Sequence, residues 1–386
     1  MTVIPANVTV EPPESLGVDP EKLDTLRHRV RQEVDAGLLP SCQFAVARHG
    51  RLAAFEAFGD ATTDSRYTIF SSTKAIVAST VWQLIAEGLI DVERRVAEYV
   101  PEFGTNGKDV ITVEQVMLHT SGFPHAPLGP PAWDTREGRL EAFGRWRLNW
   151  EPGTRYEYHA TSAHWVLAEL IERLSEQDYR DVVEQRVTQP LGLPRVLGLP
   201  EDQQTGIVDL QLCGDPASAE ELQAAFGIAA LPETEVTDEA LLTLSRPDIR
   251  TVGVPGGGGI ATAATMALFY QALLHDDAGL WDADVLADAT GRVRNSLPDP
   301  LLGVPANRGL GVVIAGDDGK APFRGFGHTQ GPRTFGHNGA AGQICWADPD
   351  SGLSFSYLTN GNDVHVLRQA RRSIGISSRA AVCATA

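Results

Sequence analysis

Ser71 and Lys74 stand three positions apart in Ser71-Ser72-Thr73-Lys74, where an apolar helical pattern begins. Positions i and i+3 share one helix face, so the Lys74 amine can reach the Ser71 oxygen. A serine hydroxyl becomes a competent nucleophile when a neighbour takes its proton, and a neutral lysine can do so. With 18 serines and 4 lysines in 386 residues, roughly 0.2 Ser-x-x-Lys matches arise by chance. The chain otherwise carries its positive charge on arginine, 28 against those 4 lysines. Lys22, Lys108 and Lys320 lie in polar sequence surroundings, whereas Lys74 precedes an apolar run. Arginine could not stand in as a base, because its guanidinium does not deprotonate in proteins.

Two further segments carry groups that suit the same chemistry. Glu151-Pro152-Gly153-Thr154-Arg155-Tyr156-Glu157-Tyr158-His159-Ala160 is a Pro-Gly turn followed by a tyrosine-rich run. A tyrosine beside a Ser–Lys pair can relay protons; read alone, both rings equally suit half-buried packing with satisfied hydroxyls. Phe335-Gly336-His337-Asn338-Gly339-Ala340-Ala341-Gly342 opens a late strand, and its small residues let backbone N–H groups approach a ligand closely. The same composition describes a strand edge with glycines at a bulge. Gly256-Gly257-Gly258-Gly259 lacks the Gly-Lys-Ser/Thr of a phosphate loop and reads as a backbone crossing near the site. A Gly-x-Ser-x-Gly elbow is absent, which removes the His–Asp triad design. His119 belongs to the Thr120-Ser121-Gly122 turn, where a structural hydrogen bond is expected. No His/Cys/Asp cluster has metal-ligand spacing, so neither metal nor cofactor is expected.

The elements that must position these residues follow from periodicity. Apolar residues at helical spacing predict a surface helix over 20–38. Residues 42–47 and 52–58 flank Arg48-His49-Gly50 as a β-hairpin. From Ser71 onward Ile76, Val77, Val81, Leu84 and Ile85 predict a helix with one face inward, ending near Gly88. Residues 90–240 read as mainly helical with long loops, and the four prolines of 124–134 exclude regular helix there. Helices are expected over 161–174, 217–226 and 262–274, strands over 309–315, 340–347 and 353–360, and a frayed tail after Ser377. Strands near both ends around a helical middle imply one sheet built from both termini, with a helical domain inserted.

Bulk properties bound the function. A formal charge of −18 argues against nucleic acid or an anionic membrane as partner. No apolar stretch reaches the ~18 residues a membrane span needs. Met1-Thr2-Val3-Ile4-Pro5 has neither the basic nor the apolar region of a secretory leader. Cys42, Cys213, Cys345 and Cys383 are widely spaced and read as free thiols in a reducing compartment, so a cytoplasmic location is expected.

In this order the three segments resemble the motifs of the serine β-lactamase and penicillin-binding-protein superfamily: Ser-x-x-Lys, then Tyr-x-Asn or Ser-x-Asn, then Lys-Thr-Gly. The resemblance is closest to class C β-lactamases and family VIII carboxylesterases. Ile111-Thr112-Val113-Glu114-Gln115-Val116-Met117-Leu118-His119-Thr120-Ser121-Gly122 is similar to the family's "ITVRHLLTHTSG" stretch, and Pro152-Gly153-Thr154 and Pro190-Leu191-Gly192-Leu193 resemble its other marks. The match spans about residues 20–365. It implies an α/β (α+β) fold of the β-lactamase/transpeptidase type, an antiparallel sheet flanked by helices. Residues 1–75 and 250–386 would form the discontinuous α/β domain and residues 76–249 the mainly helical one, with the site at their interface.

By the same resemblance Ser71 is the nucleophile, Lys74 its base and Tyr158 the proton-relaying tyrosine. Counting on from Pro152-Gly153-Thr154 favours Tyr158 over Tyr156. His337, Asn338 and Gly339 occupy the substrate-binding Lys-Thr-Gly position, and the backbone N–H groups of Ser71 and Ala340 would form the oxyanion hole. Two positions depart: Ala160 stands where β-lactamases carry asparagine, and His337 replaces the lysine. Both departures favour a neutral ester over a β-lactam. The resemblance therefore implies a serine carboxylesterase acting on short-chain or small-alcohol esters, with a small-molecule ester as its partner. Acyltransfer, amide or D-amino-acid peptide hydrolysis and weak β-lactamase activity use the same machinery; a catalytically silent binding protein of the same fold is the alternative from another class. For the hydrolase, Lys74 must lose several units from its usual ~10.4. Burial beneath the helical domain would achieve this, or a hydrogen bond shared with Tyr158 could shuttle the proton instead.

Overall fold

The computed structural model describes residues 9–232 and 234–385; the reading of Met1–Pro5 lies outside them. Segments from both ends of the chain meet in one six-stranded sheet. Ser41–Arg48 and Arg51–Gly59 form a hairpin closed by His49 and Gly50, both at positive φ as a tight hairpin turn requires. Leu353–Thr359 pairs with the first of these strands, and Ile344–Asp348, Phe335–Gly336 and Val313–Ile314 extend the sheet, antiparallel throughout.

Alternation along the strands divides the apolar residues between two cores. Cys42, Phe44 and Val46 share one with Leu23, Leu26 and Val30 of the helix Pro20–Asp35 and with Ile376 and Ala380 of the helix Val366–Ala380. Ala45 and Ala47 belong to the other, under the helix Ala263–His275. Small side chains let that helix lie close on the sheet. Ser354 Oγ donates to Ala267 O at 2.7 Å, and Gln271 Nε2 to Ala47 O at 3.1 Å. This second core is continuous with the helical part of the chain through Trp82, Trp165 and Tyr179.

Several elements depart from the periodicity reading. The helix Thr73–Ala86 is buried on all sides from Thr73 to Leu84, not on one face. It runs between the helices Ser162–Ser175 and Ala283–Gly291, so no face meets water. Burial of Ile76, Val77, Val81, Trp82 and Leu84 contributes about 1.5–3 kcal/mol each and fixes the helix that carries Lys74. The expected strand over 309–315 shrinks to Val313–Ile314, because Gly309 and Gly311 turn the chain ahead of it. The strand expected over 340–347 starts at Ile344; residues Ala340–Gly342 form a 3-10 turn with Ala341 at φ 57°. His337 accordingly follows a strand, Phe335–Gly336, and does not open one. Nor does the tail fray after Ser377: the last helix runs to Ala380, Cys383 is buried, and Thr385 N donates to Gly17 O at 2.8 Å. All four cysteines are free thiols. Among the described residues no helix is long and apolar enough to cross a membrane.

Candidate active site

Ser71 sits in a one-turn 3-10 segment, Phe70–Ser72, that leads into the helix Thr73–Ala86. Phe70 is held at φ 44°, a conformation that costs a bulky residue on the order of 1–3 kcal/mol. Its neighbours impose it. Ile69 N donates to Gly259 O at 2.9 Å, Thr73 Oγ1 donates to Phe70 O at 2.6 Å, and Gly259 N donates to Thr73 Oγ1 at 2.9 Å. The glycine run is thus the backbone crossing at Ser71, and a side chain at Gly259 would lie 2.5 Å from Thr73 Oγ1.

The Ser71 hydroxyl lies between two groups. Lys74 Nζ is 3.2 Å from its Oγ, and Tyr158 Oη donates to it at 2.8 Å. Lys74 is fully buried, and Nζ donates to Ala160 O at 2.7 Å and Gly256 O at 2.6 Å. Burial, then the nearby Arg308 guanidinium, hold its amine well below the ordinary lysine range. A deprotonated amine has two N–H bonds and one lone pair. With both N–H groups on carbonyls, the lone pair is left for the Ser71 hydroxyl. Burial raises the Tyr158 phenol, against the opposing pull of Arg308 and of its bond to Ser71, so it stays protonated as a donor. The result is an oriented chain of donors: Tyr158 to Ser71 to Lys74. Tyr156, two residues away, does not reach Ser71; its hydroxyl accepts from Arg308 Nε and Nη2 at 3.1 and 2.7 Å.

The segment from His337 to Gly342 closes the other side. Gly339 packs against the backbone of Ile69 so tightly that a Cβ there would lie 2.2 Å from Ile69 O. Among the described residues nothing accepts from the backbone N–H of Ser71 or of Ala340. Both residues are part-exposed, so neither donor is sealed from solvent. The side chains of His337 and Asn338 are engaged elsewhere. His337 is buried, with Nε2 3.1 Å from Arg308 Nη1 and Nδ1 2.9 Å from Asn338 O. Asn338 bonds Gly325 O and accepts from Cys345 N at 3.0 Å. Beside Ser71, Phe70, Leu210, Leu241 and Ala341 form a small apolar cluster with Leu244 and Ala340 against it. A cavity of about 370 Å³ around Pro127, Leu128 and Trp146 includes none of these residues.

Other groups around the site were less legible. His119 Nδ1 accepts from His159 N at 3.1 Å, the kind of structural bond expected of it, and its ring lies 4.9 Å from that of Tyr158. His159 Nδ1 donates to Glu157 O at 2.6 Å and Nε2 accepts from Phe123 N at 3.2 Å; burial brings its pKa down to about 3. Arg308 carries no spacing signal and is one arginine among many in the sequence. Lys108 corrects the expectation from its polar neighbours. It is buried, with Nζ donating to Thr105 O and Trp146 O at 2.7 Å each, and desolvation lowers its pKa to about 8.

Residues 26–376 match the family model described as Beta-lactamase. The chain belongs to the beta-lactamase family. It is an enzyme of the serine-hydrolase type. The esterase/beta-lactamase LipL of Mycobacterium tuberculosis (strain ATCC 25618 / H37Rv) is 28% identical over 316 residues, covering 78% of this chain and 70% of that protein. The structure of EstA from Arthrobacter nitroguajacolicus Rue61a superposes with a TM-score of 0.74 at 23% identity, covering 94% of this chain and 98% of EstA. A family VIII carboxylesterase structure gives 0.72 at 23% identity, covering 94% and 99%. These two likenesses establish the β-lactamase/transpeptidase-like fold.

Proposed function

We propose that the protein is a carboxylesterase that hydrolyses uncharged short-chain or small-alcohol esters through an acyl-enzyme on Ser71. One observation carries the reading: the Ser71 hydroxyl is shared between a buried amine whose two donors are occupied and a phenol that donates to it. Lys74 takes the Ser71 proton as Oγ attacks the ester carbonyl. The carbonyl oxygen, now negative, receives the backbone N–H groups of Ser71 and Ala340, a stabilisation of about 2.7–4 kcal/mol per donor in comparable sites. Tyr158 delivers a proton to the departing alcohol and is reprotonated from Lys74. Water then attacks the acyl group with the same residues acting in reverse.

Preference for an uncharged ester rests on what surrounds Ser71. Ala160 offers no side-chain amide, His337 and Asn338 spend their polar atoms internally, and Phe70, Leu210, Leu241 and Leu244 form an apolar cluster beside it. The reading sets the reacting atoms at the seam between residues 1–75 with 250–386 and residues 76–249. The four free thiols support a cytoplasmic location. Treatment with a fluorophosphonate followed by intact-mass and peptide analysis tests the chemistry: one adduct per chain, on Ser71, is expected. Absence of an adduct would leave a binding protein. Turnover of p-nitrophenyl acetate should exceed that of nitrocefin; the reverse order would overturn the ester preference.

A further inference from the structure

Arg308 is buried at the back of the site without a carboxylate partner among the described residues. A desolvated guanidinium is expensive to keep, and proteins ordinarily pair it. Here its contacts are all neutral. Nε and Nη2 donate to Tyr156 Oη, Nη1 reaches His337 Nε2 at 3.1 Å, and its Cζ lies 5.3 Å from the centre of the Tyr158 ring. Because a guanidinium only donates, His337 Nε2 must be the acceptor of that bond. The His337 proton is therefore on Nδ1, donated to Asn338 O. His337 is fixed as a neutral imidazole with both nitrogens spent, leaving it neither charge nor proton for a substrate.

We propose that Arg308 is a positioning residue that supplies the fixed positive charge of the site, acting across Tyr158 and His337 to keep Lys74 a free base. The inference rests on the reading of Lys74 as the base. Lys74 Nζ lies 5.0 Å from the same Tyr158 ring centre that Arg308 approaches at 5.3 Å, so the two charges are separated by no more than about 10 Å. The other titratable groups around them are Tyr156, Tyr158, His119, His164 and His337; burial holds the three histidines neutral. Of the carboxylates, Asp299 acts on Tyr156. Glu157 turns its carboxylate away, toward Trp150 and His125. Among the described residues no carboxylate is thus set to offset the arginine at Lys74, and burial of the amine and the guanidinium act in the same direction.

The test is the pH dependence of kcat/KM for p-nitrophenyl acetate, with the rate of fluorophosphonate labelling of Ser71 as a second measure. At about 10 Å and an effective dielectric of about 20, removing the charge should raise the acid limb by about one pH unit. Arg308→Met should show that shift, and Arg308→Lys should restore most of it by returning a cation. Arg308→Gln, which keeps a donor for Tyr156 Oη, takes the place of the methionine variant if that one does not fold. An acid limb unmoved in the neutral variant, even with a lowered plateau, overturns the proposal, as does a lysine variant shifted as far as the neutral one. Lys74→Ala separates the two readings: labelling at the wild-type rate would refute Lys74 as base, whatever Arg308 does.

Discussion

Gly339→Ala places one methyl group against the backbone that carries the nucleophile. The added Cβ would lie 2.2 Å from Ile69 O and 3.0 Å from Gln343 Cβ. A carbon–oxygen contact relaxes only near ~3.3 Å, so the two backbones must separate by about 1 Å. Neither can yield alone. Ile69 N is tied to Gly259 O and Ser72 N to Ile69 O, while Gly339 N donates to Gln343 O and Asn338 Oδ1 accepts from Cys345 N. The displacement therefore falls between Ser71 and Ala340, whose N–H groups would have to converge on one oxygen in the proposed oxyanion hole. A misplacement of about 1 Å can cost about a hundredfold in rate, and loss of one oxyanion donor about 10²–10³-fold in kcat. We expect kcat/KM for p-nitrophenyl acetate to fall about 10²–10³-fold. Overpacking of this kind costs about 1–3 kcal/mol, less than the usual 5–15 kcal/mol of stability, so the variant should remain folded in urea titrations at 25 °C. A folded Gly339→Ala enzyme with kcat within about threefold of wild type would refute the assignment of Ala340 to the oxyanion hole.

The two tyrosines should separate cleanly. Tyr158→Phe removes the hydroxyl 2.8 Å from Ser71 Oγ and should lower kcat by about 10²–10⁴-fold, whereas Tyr156→Phe removes only an anchor of Arg308 and should cost under about tenfold; steady-state kinetics showing the opposite order would reassign the relay. Stability should be acid-sensitive through histidines, not only through carboxylates. His119, His164 and His337 are held well below their ordinary pKa by burial and His159 to about 3, so the unfolded chain binds more protons once the pH drops below about 6.5. Stability should be fully present above that value and fall by up to about 1.4 kcal/mol per pH unit for each such group. A Tm unchanged between pH 7 and 5 would contradict it.

Sequence spacing determined what is local. Ser71 and Lys74 come together because helical geometry sets residues three apart on one face, and the hairpin, the helix Ser162–Ser175 and the helix Ala263–His275 follow from patterns within a single segment. The order of three motifs, read through family resemblance, pointed to Tyr158 and to residues 337–340. Tertiary structure decided everything that depends on charge and solvent. Lys74 is a candidate base because its amine meets carbonyls 86 and 182 residues away and is sealed from water by helices that pack all round its own. Apolar periodicity describes which residues avoid water, not how completely a helix is enclosed, so the one-faced expectation failed there. Arg308, 29 residues before His337, reaches its Nε2 only after the sheet has assembled. Electrostatics act through space and through desolvation, and neither distance is written in the order of residues. The tetrad at Ser71 thus marks the candidate pair, while the fold sets the proton inventory that would let the pair react.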